Sequence, residues 1–109
     1  MRNLHNKFMR EALKEAEKGF RAGEVPIGSV LVRDGKVIAR GHNQRRALND
    51  PTAHAEIMCL RDSGMLEDTK GVILYSTLEP CPMCSGAVLQ IGIKTVVYGE
   101  DDLTFGGCG

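Results

Sequence analysis

The chain has no excess of charge of either sign: 14 Lys plus Arg balance 14 Asp plus Glu over 109 residues. A formal net charge of zero gives no general attraction to nucleic acid or to an anionic membrane, so any such affinity would rest on a local patch. Also absent is any apolar run near the roughly 20 residues that a bilayer-crossing helix needs. No apolar segment with a cleavage site marks secretion, and no repeat or composition break marks a second domain. A single soluble cytoplasmic domain, residues 1–109, is the expectation, able to bury a real but modest core. Cysteine is scarce too, at four. In a reducing compartment, a closely spaced pair serves better as metal ligands than as a disulfide.

That pair is Cys81 and Cys84, in Thr77-Leu78-Glu79-Pro80-Cys81-Pro82-Met83-Cys84. An apolar run, Val72 to Leu74, leads in, and a helix-compatible run, Ser85 to Ile91, follows, so the thiols sit where a strand hands over to a helix. Pro82 suits the first helical position, where its fixed φ fits and its missing N–H is not needed. A helix N-terminus stabilises negative charge, which predicts a bias of both thiols toward the thiolate. C-x-x-C supplies half of a tetrahedral site. His54, in Thr52-Ala53-His54-Ala55-Glu56-Ile57, offers a third ligand, and Glu56 a carboxylate not needed as one. Three protein ligands with an open fourth position is the pattern of a catalytic zinc, whereas a structural zinc is closed by four. One Zn2+ per chain is expected. H-x-E with P-C-x-x-C is the zinc deaminase signature.

The rest of the chain reads as a frame for these residues. Residues 4–22 carry Phe8, Ala12, Ala16 and Phe20 at every fourth position, with Met9 and Leu13 beside them, which predicts an amphipathic helix packed on its own domain. Glu15–Lys18 and Glu17–Arg21 can pair along it, and Gly23 suits the position just past its end. Residues 25–32 and 37–39 read as antiparallel strands around Asp34-Gly35, a two-residue hairpin signal. Gly28 is either a bulge or crowded packing point, or a place for substrate to approach the backbone. Residues 41–50 read as a polar loop with Asn43, Arg45 and Arg46, and Thr52 as the cap of a helix from His54 to about Ser63. Cys59, about 140° around that helix from His54, reads as a small buried hydrophobe. A strand at 72–77, a helix at about 82–91 and a strand at 94–98 make a β-α-β unit, so those two strands should be parallel. Residues 105–109 are turn-like.

Chemically, such a zinc lowers the pKa of its water toward about 7. A carboxylate at Glu56 can take the water's proton and pass it to the ring nitrogen and then to the departing amine. The reaction is hydrolytic deamination of an amidine carbon. Two plainer readings compete. The zinc is structural, closed by His42, Cys59 or Cys108, or Cys81 and Cys84 form a redox pair, since strand, C-x-x-C, helix is also the thioredoxin arrangement.

At these residues the chain resembles the cytidine deaminase superfamily, in its cytosine, guanine and tRNA-adenosine deaminase branch, from about Glu24 to Gly99. The segments that carry the resemblance are Val25-Pro26-Ile27-Gly28, Gly41-His42-Asn43, His54-Ala55-Glu56 and Thr77 to Cys84. The resemblance implies a three-layer α/β/α sandwich with a mixed central sheet, zinc on His54, Cys81 and Cys84, and Glu56 as proton shuttle. It also implies that Asn43 hydrogen-bonds the base and that the backbone amides of Ala55 and Cys81 contact the substrate carbonyl or the zinc-bound oxygen. Asp50 to Glu56 resembles both tRNA-adenosine and guanine deaminases. Gly64 to Glu67, Leu74 to Leu78, Cys84 to Ala87, Ile91 to Ile93 and Gly41-His42-Asn43 with Arg45 resemble fungal-type cytosine deaminases. Gly99-Glu100 leading to Phe105 leans the same way, with Phe105 as an aromatic wall of the base pocket. Deamination of free cytosine to uracil is therefore the leading expectation, with tRNA adenosine and guanine as alternatives and a small nucleobase favoured over tRNA as partner. The family's chains continue past the Phe105 region into a fifth strand and one or two helices that close the pocket. That leads us to expect a fragment, a mobile tail beyond Gly109 or a wall supplied by a partner subunit, and a homodimer.

Overall fold

The computed structural model describes residues 2–100; Phe105 and Cys108 lie outside them. Three helices and four strands alternate as α1 (Arg2–Arg21), β1 (Gly28–Arg33), β2 (Lys36–His42), α2 (Ala55–Ser63), β3 (Ile73–Leu78), α3 (Pro82–Ile91) and β4 (Thr95–Glu100). Among the described residues, no helix is long and apolar enough to cross a membrane.

The sheet runs β2-β1-β3-β4. β1 is antiparallel to β2 and to β3, while β3 and β4, joined through α3, are parallel. The mixed sheet and the β-α-β unit are as expected. At the hairpin, Asp34 and Gly35 both hold positive φ, 53° and 74°, which matches the twist of the flanking strands. β2 continues through Gly41 and His42, which the sequence reading assigned to a loop, and β1 begins only at Gly28 rather than residue 25.

Strand alternation divides the core into two layers. Val30, Val32 and Tyr75 face α1, where they meet Phe8 and Ala12. Leu31, Ala39 and Leu74 face the other way, onto Cys59, Leu60 and Val88 of α2 and α3. Helices on both faces of the sheet make the expected three-layer α/β/α sandwich. Each fully buried Val or Leu contributes about 1.5–3 kcal/mol.

α1 corrects one detail of the sequence reading. Phe8, Ala12 and Ala16 are buried, but Phe20 is 66% exposed and Leu13 53%. At 100° per residue, a four-residue spacing drifts about 40° per step, so Phe20 lies about 120° around the helix from Phe8. Glu15, only about 20° from Phe8, takes the buried position and is 3% exposed. It keeps its charge through Lys18 (2.8 Å) and Arg40 of β2 (3.2 Å), so the expected Glu15–Lys18 pair forms, as does Glu17–Arg21.

Two glycines set the spacing of the layers. A Cβ on Gly28 would stand 2.0 Å from the Ala12 carbonyl of α1, so this residue is a packing point. A Cβ on Gly41 would stand 2.3 Å from the Cys59 nitrogen of α2. The start of α2, and with it His54, is held against β2 by that close approach.

Candidate active site

Two helix starts converge. His54 caps α2 and Cys81 caps α3, each in extended backbone (φ −69°, ψ 157° and φ −70°, ψ 170°). Pro82 occupies the start of α3 as expected. Thr52 is not the α2 cap. Its N–H and hydroxyl both donate to Asp50 Oδ1, at 2.8 and 2.7 Å, a side-chain turn that delivers the chain to His54. Neither cap makes a side-chain capping bond, which leaves the imidazole and the thiol to face each other.

His54 Nδ1 lies 3.5 Å from Cys81 Sγ and 3.7 Å from Cys84 Sγ. The three ligand atoms all lie within 4.8 Å of one another. Zn–S and Zn–N bonds at a tetrahedral angle put sulfur and nitrogen about 3.6 Å apart, so these residues fit one zinc ion. Among the described residues no further His, Cys, Asp or Glu joins the group. His42, one expected alternative ligand, lies instead with its Nδ1 3.6 Å from Glu15. Cys59, another, is fully buried in the core as a small hydrophobe, its thiol pushed up by burial. Cys108 lies outside the described residues.

Burial, aided by the Arg45 charge, lowers the His54 pKa and favours the neutral imidazole that a metal needs. Cys84 reverses an expectation. Burial first, then the Glu56 charge, push its thiol up. Burial thereby opposes the bias toward thiolate expected from the helix start.

Glu56, in the first turn of α2, is 4% exposed. Burial raises its pKa, while its own N–H and the Ser76 hydroxyl pull the other way. Ser76, on β3, is fully buried and has no hydrogen-bond partner of good geometry. Glu56, His54 and Cys81 open onto a cavity of about 420 Å³ walled by Ile27, Leu78, Glu79 and Met83. Asn43 is elsewhere: it lines a neighbouring cavity of about 600 Å³, and its Oδ1 accepts the Arg45 N–H at 3.1 Å. Arg45 lines both cavities. Ala55, fully buried, is the first residue of α2, where backbone N–H groups lack helical partners. Phe105 lies outside the described residues. The sequence reading missed Ile27, Ser76 and Glu79 as site residues. All three lay within segments quoted for the resemblance, but none was given a role there.

Residues 2–100 match the family described as the cytidine and deoxycytidylate deaminase zinc-binding region. The chain belongs to this family. The deaminase domain is 46% identical over 103 residues to a tRNA-specific adenosine deaminase of Streptococcus pyogenes, covering 92% of this chain and 65% of that protein. It therefore spans less than two thirds of that relative's length, and only 8% of a chloroplastic tRNA(adenine(34)) deaminase of Arabidopsis thaliana to which it is 50% identical over 114 residues. A structure solved in studies of A-to-I editing by tRNA:A34 deaminases at the wobble position superposes with a TM-score of 0.86 at 47% identity, covering 93% of this chain and 80% of the other. Guanine deaminase from Bacillus subtilis superposes with a TM-score of 0.83 at 37% identity, covering 94% and 71%.

Proposed function

We propose that this deaminase domain hydrolyses adenosine in tRNA to inosine, releasing ammonia. The observation that carries the reading is the 46% identity to a tRNA-specific adenosine deaminase over 92% of the chain. It displaces free cytosine, which short shared segments had favoured, and with it a small nucleobase as the partner. The segment Asp50 to Glu56, which resembles both tRNA-adenosine and guanine deaminases, builds the histidine side of the site.

The bound zinc supplies a Lewis acid that makes water nucleophilic near neutral pH. Glu56 is the general base and acid: its carboxylate takes a proton from the attacking water and gives it to the ring nitrogen. The water oxygen bonds to the ring carbon, and Glu56 then carries that oxygen's remaining proton to the exocyclic nitrogen, which leaves as ammonia as the C–N bond breaks and the carbonyl forms. A raised pKa suits a group that must both take and give a proton near neutrality. Ile27, Leu78 and Met83 form the apolar wall against which a base lies, and the amides of Ala55 and Cys81 orient it. The working form in this reading is a homodimer, and a strictly monomeric species in light scattering would count against that.

Guanine is the second reading, favoured by the 37% identity to guanine deaminase. The zinc-loaded protein is to be given an RNA stem-loop with adenosine in its loop and, separately, guanine and cytosine. Inosine from the RNA supports the proposal; ammonia from a free base without inosine refutes it.

A further inference from the structure

Charge is balanced over the chain but not within it. α1 carries six Lys and Arg against three Glu, and the remaining residues carry eight against eleven. Five of the six, Lys7, Arg10, Lys14, Lys18 and Arg21, are exposed. At 100° per residue all five fall within about 40° of Lys14 around the helix, and Ala12, wholly buried against the sheet, lies about 160° from it. At 1.5 Å per residue the row is about 21 Å long. We propose that this row is a docking surface for the double-stranded part of an RNA substrate, holding phosphates of the stem while the loop enters the zinc cavity. The assignment rests on the RNA reading above.

The carboxylates of α1 do little to cancel the row. Glu11 and Glu15 turn toward β2, where the Arg40 guanidinium meets them at 2.6 and 3.2 Å. Lys14 and Lys18 reach those same two carboxylates, at 2.7 and 2.8 Å. Glu17, paired with Arg21, is the one exposed carboxylate of the helix. Such pairs at the surface are weak and screened by salt, so a phosphate can compete for Lys14, Lys18 and Arg21. Lys7 and Arg10 form no ion pair among the described residues.

The row also starts beside the site. Gly23, two residues beyond Arg21, lines the cavity of about 600 Å³ that shares Arg45 with the zinc cavity. A stem-loop with its target base at the zinc must send its paired stem away from the site, and α1 offers a cationic track that leaves from there. A duplex sets a regular series of phosphates over such a length and is recognised through them rather than through its bases. An anionic bilayer fits less well. Helices that lie on membranes bury an apolar face in the lipid, and Phe8, Ala12 and Ala16, the apolar face of α1, are buried within the protein.

The test is fluorescence anisotropy of a labelled RNA stem-loop over a range of salt, with Glu56→Gln in every protein to block turnover. Lys7→Gln with Arg10→Gln removes the two cations that bear no ion pair. Lys70→Gln with Lys94→Gln is the control. It changes net charge equally, at exposed residues that precede β3 and β4, at the far end of those strands from Cys81. The α1 pair should weaken binding about tenfold and reduce the log–log salt slope by about 1.8, two phosphates on a duplex. The control should stay near the parent in both. A control effect as large as that of the α1 pair would reduce the row to net charge and overturn the assignment, as would no effect of the α1 pair. An equal loss on an unpaired RNA of the same loop sequence would overturn the stem as its ligand. Sedimentation with phosphatidylserine vesicles that depends on Lys7 and Arg10, with RNA binding indifferent to them, would assign the surface to a membrane instead. Inosine formation on the same RNA, with Glu56 intact, is scored separately. Inosine with no effect of the α1 pair on binding sinks this inference alone. Binding that depends on the α1 pair without inosine leaves the surface standing and sinks the adenosine reading. No RNA binding by the parent sinks both.

Discussion

His54 Nδ1 stands 3.5 Å from Cys81 Sγ, and each residue caps a different helix in the same extended conformation. The donor atoms are therefore set by backbone, on two helices packed against the same face of the sheet. Substituting either residue should remove the metal without unfolding the domain. His54→Ala and Cys81→Ala should bind less than one zinc per chain after dialysis against a weak chelator, where the parent retains one. Retention of zinc by both variants would place the ion elsewhere.

Zinc affinity should rise with pH. The Cys84 thiol of the metal-free protein is pushed up by burial, and a metal ligand must lose its proton. Binding therefore releases a proton, and affinity should improve about tenfold per pH unit for each proton displaced. Competition titrations against a chelator at several pH values measure it. A flat profile, after correction for the chelator, would mean that Cys84 is already ionised.

Glu56→Gln separates a catalytic zinc from a structural one. The substitution keeps shape and removes the proton carrier, so zinc should stay at one per chain while turnover falls about 10²–10⁴-fold. Ser76 refines the point. Its buried hydroxyl favours the charged form of Glu56, so Ser76→Ala should raise the Glu56 pKa further. The acid limb of the pH–rate profile should then move to higher pH, because the carboxylate must be ionised to accept a proton.

What could be read in the sequence was what depends on neighbours along the chain. The Asp34-Gly35 turn, Pro82 between the thiols and the strand-helix-strand order around Cys81 are local rules, and they held. The burial of Glu15 was illegible because its partner, Arg40, lies on another element. Phe20 misled because a spacing of four imitates the helical period for two turns and then drifts off the face. The upward push on the Cys84 thiol was illegible because desolvation depends on what the third dimension packs around it.

The glycine pair gives a matched control for the link between packing and site. Gly41→Ala drives a methyl toward the Cys59 nitrogen, 2.3 Å away, and must push α2 off β2. Gly28→Ala does the same between β1 and α1, on the opposite face of the sheet from His54. Overpacking of this kind costs about 3 kcal/mol, so both variants should melt lower. Zinc affinity should fall in Gly41→Ala alone, because only α2 carries His54. Equal loss of zinc affinity in the two would mean that it merely follows global stability, and that the close approach at Gly41 has no special hold on the metal site.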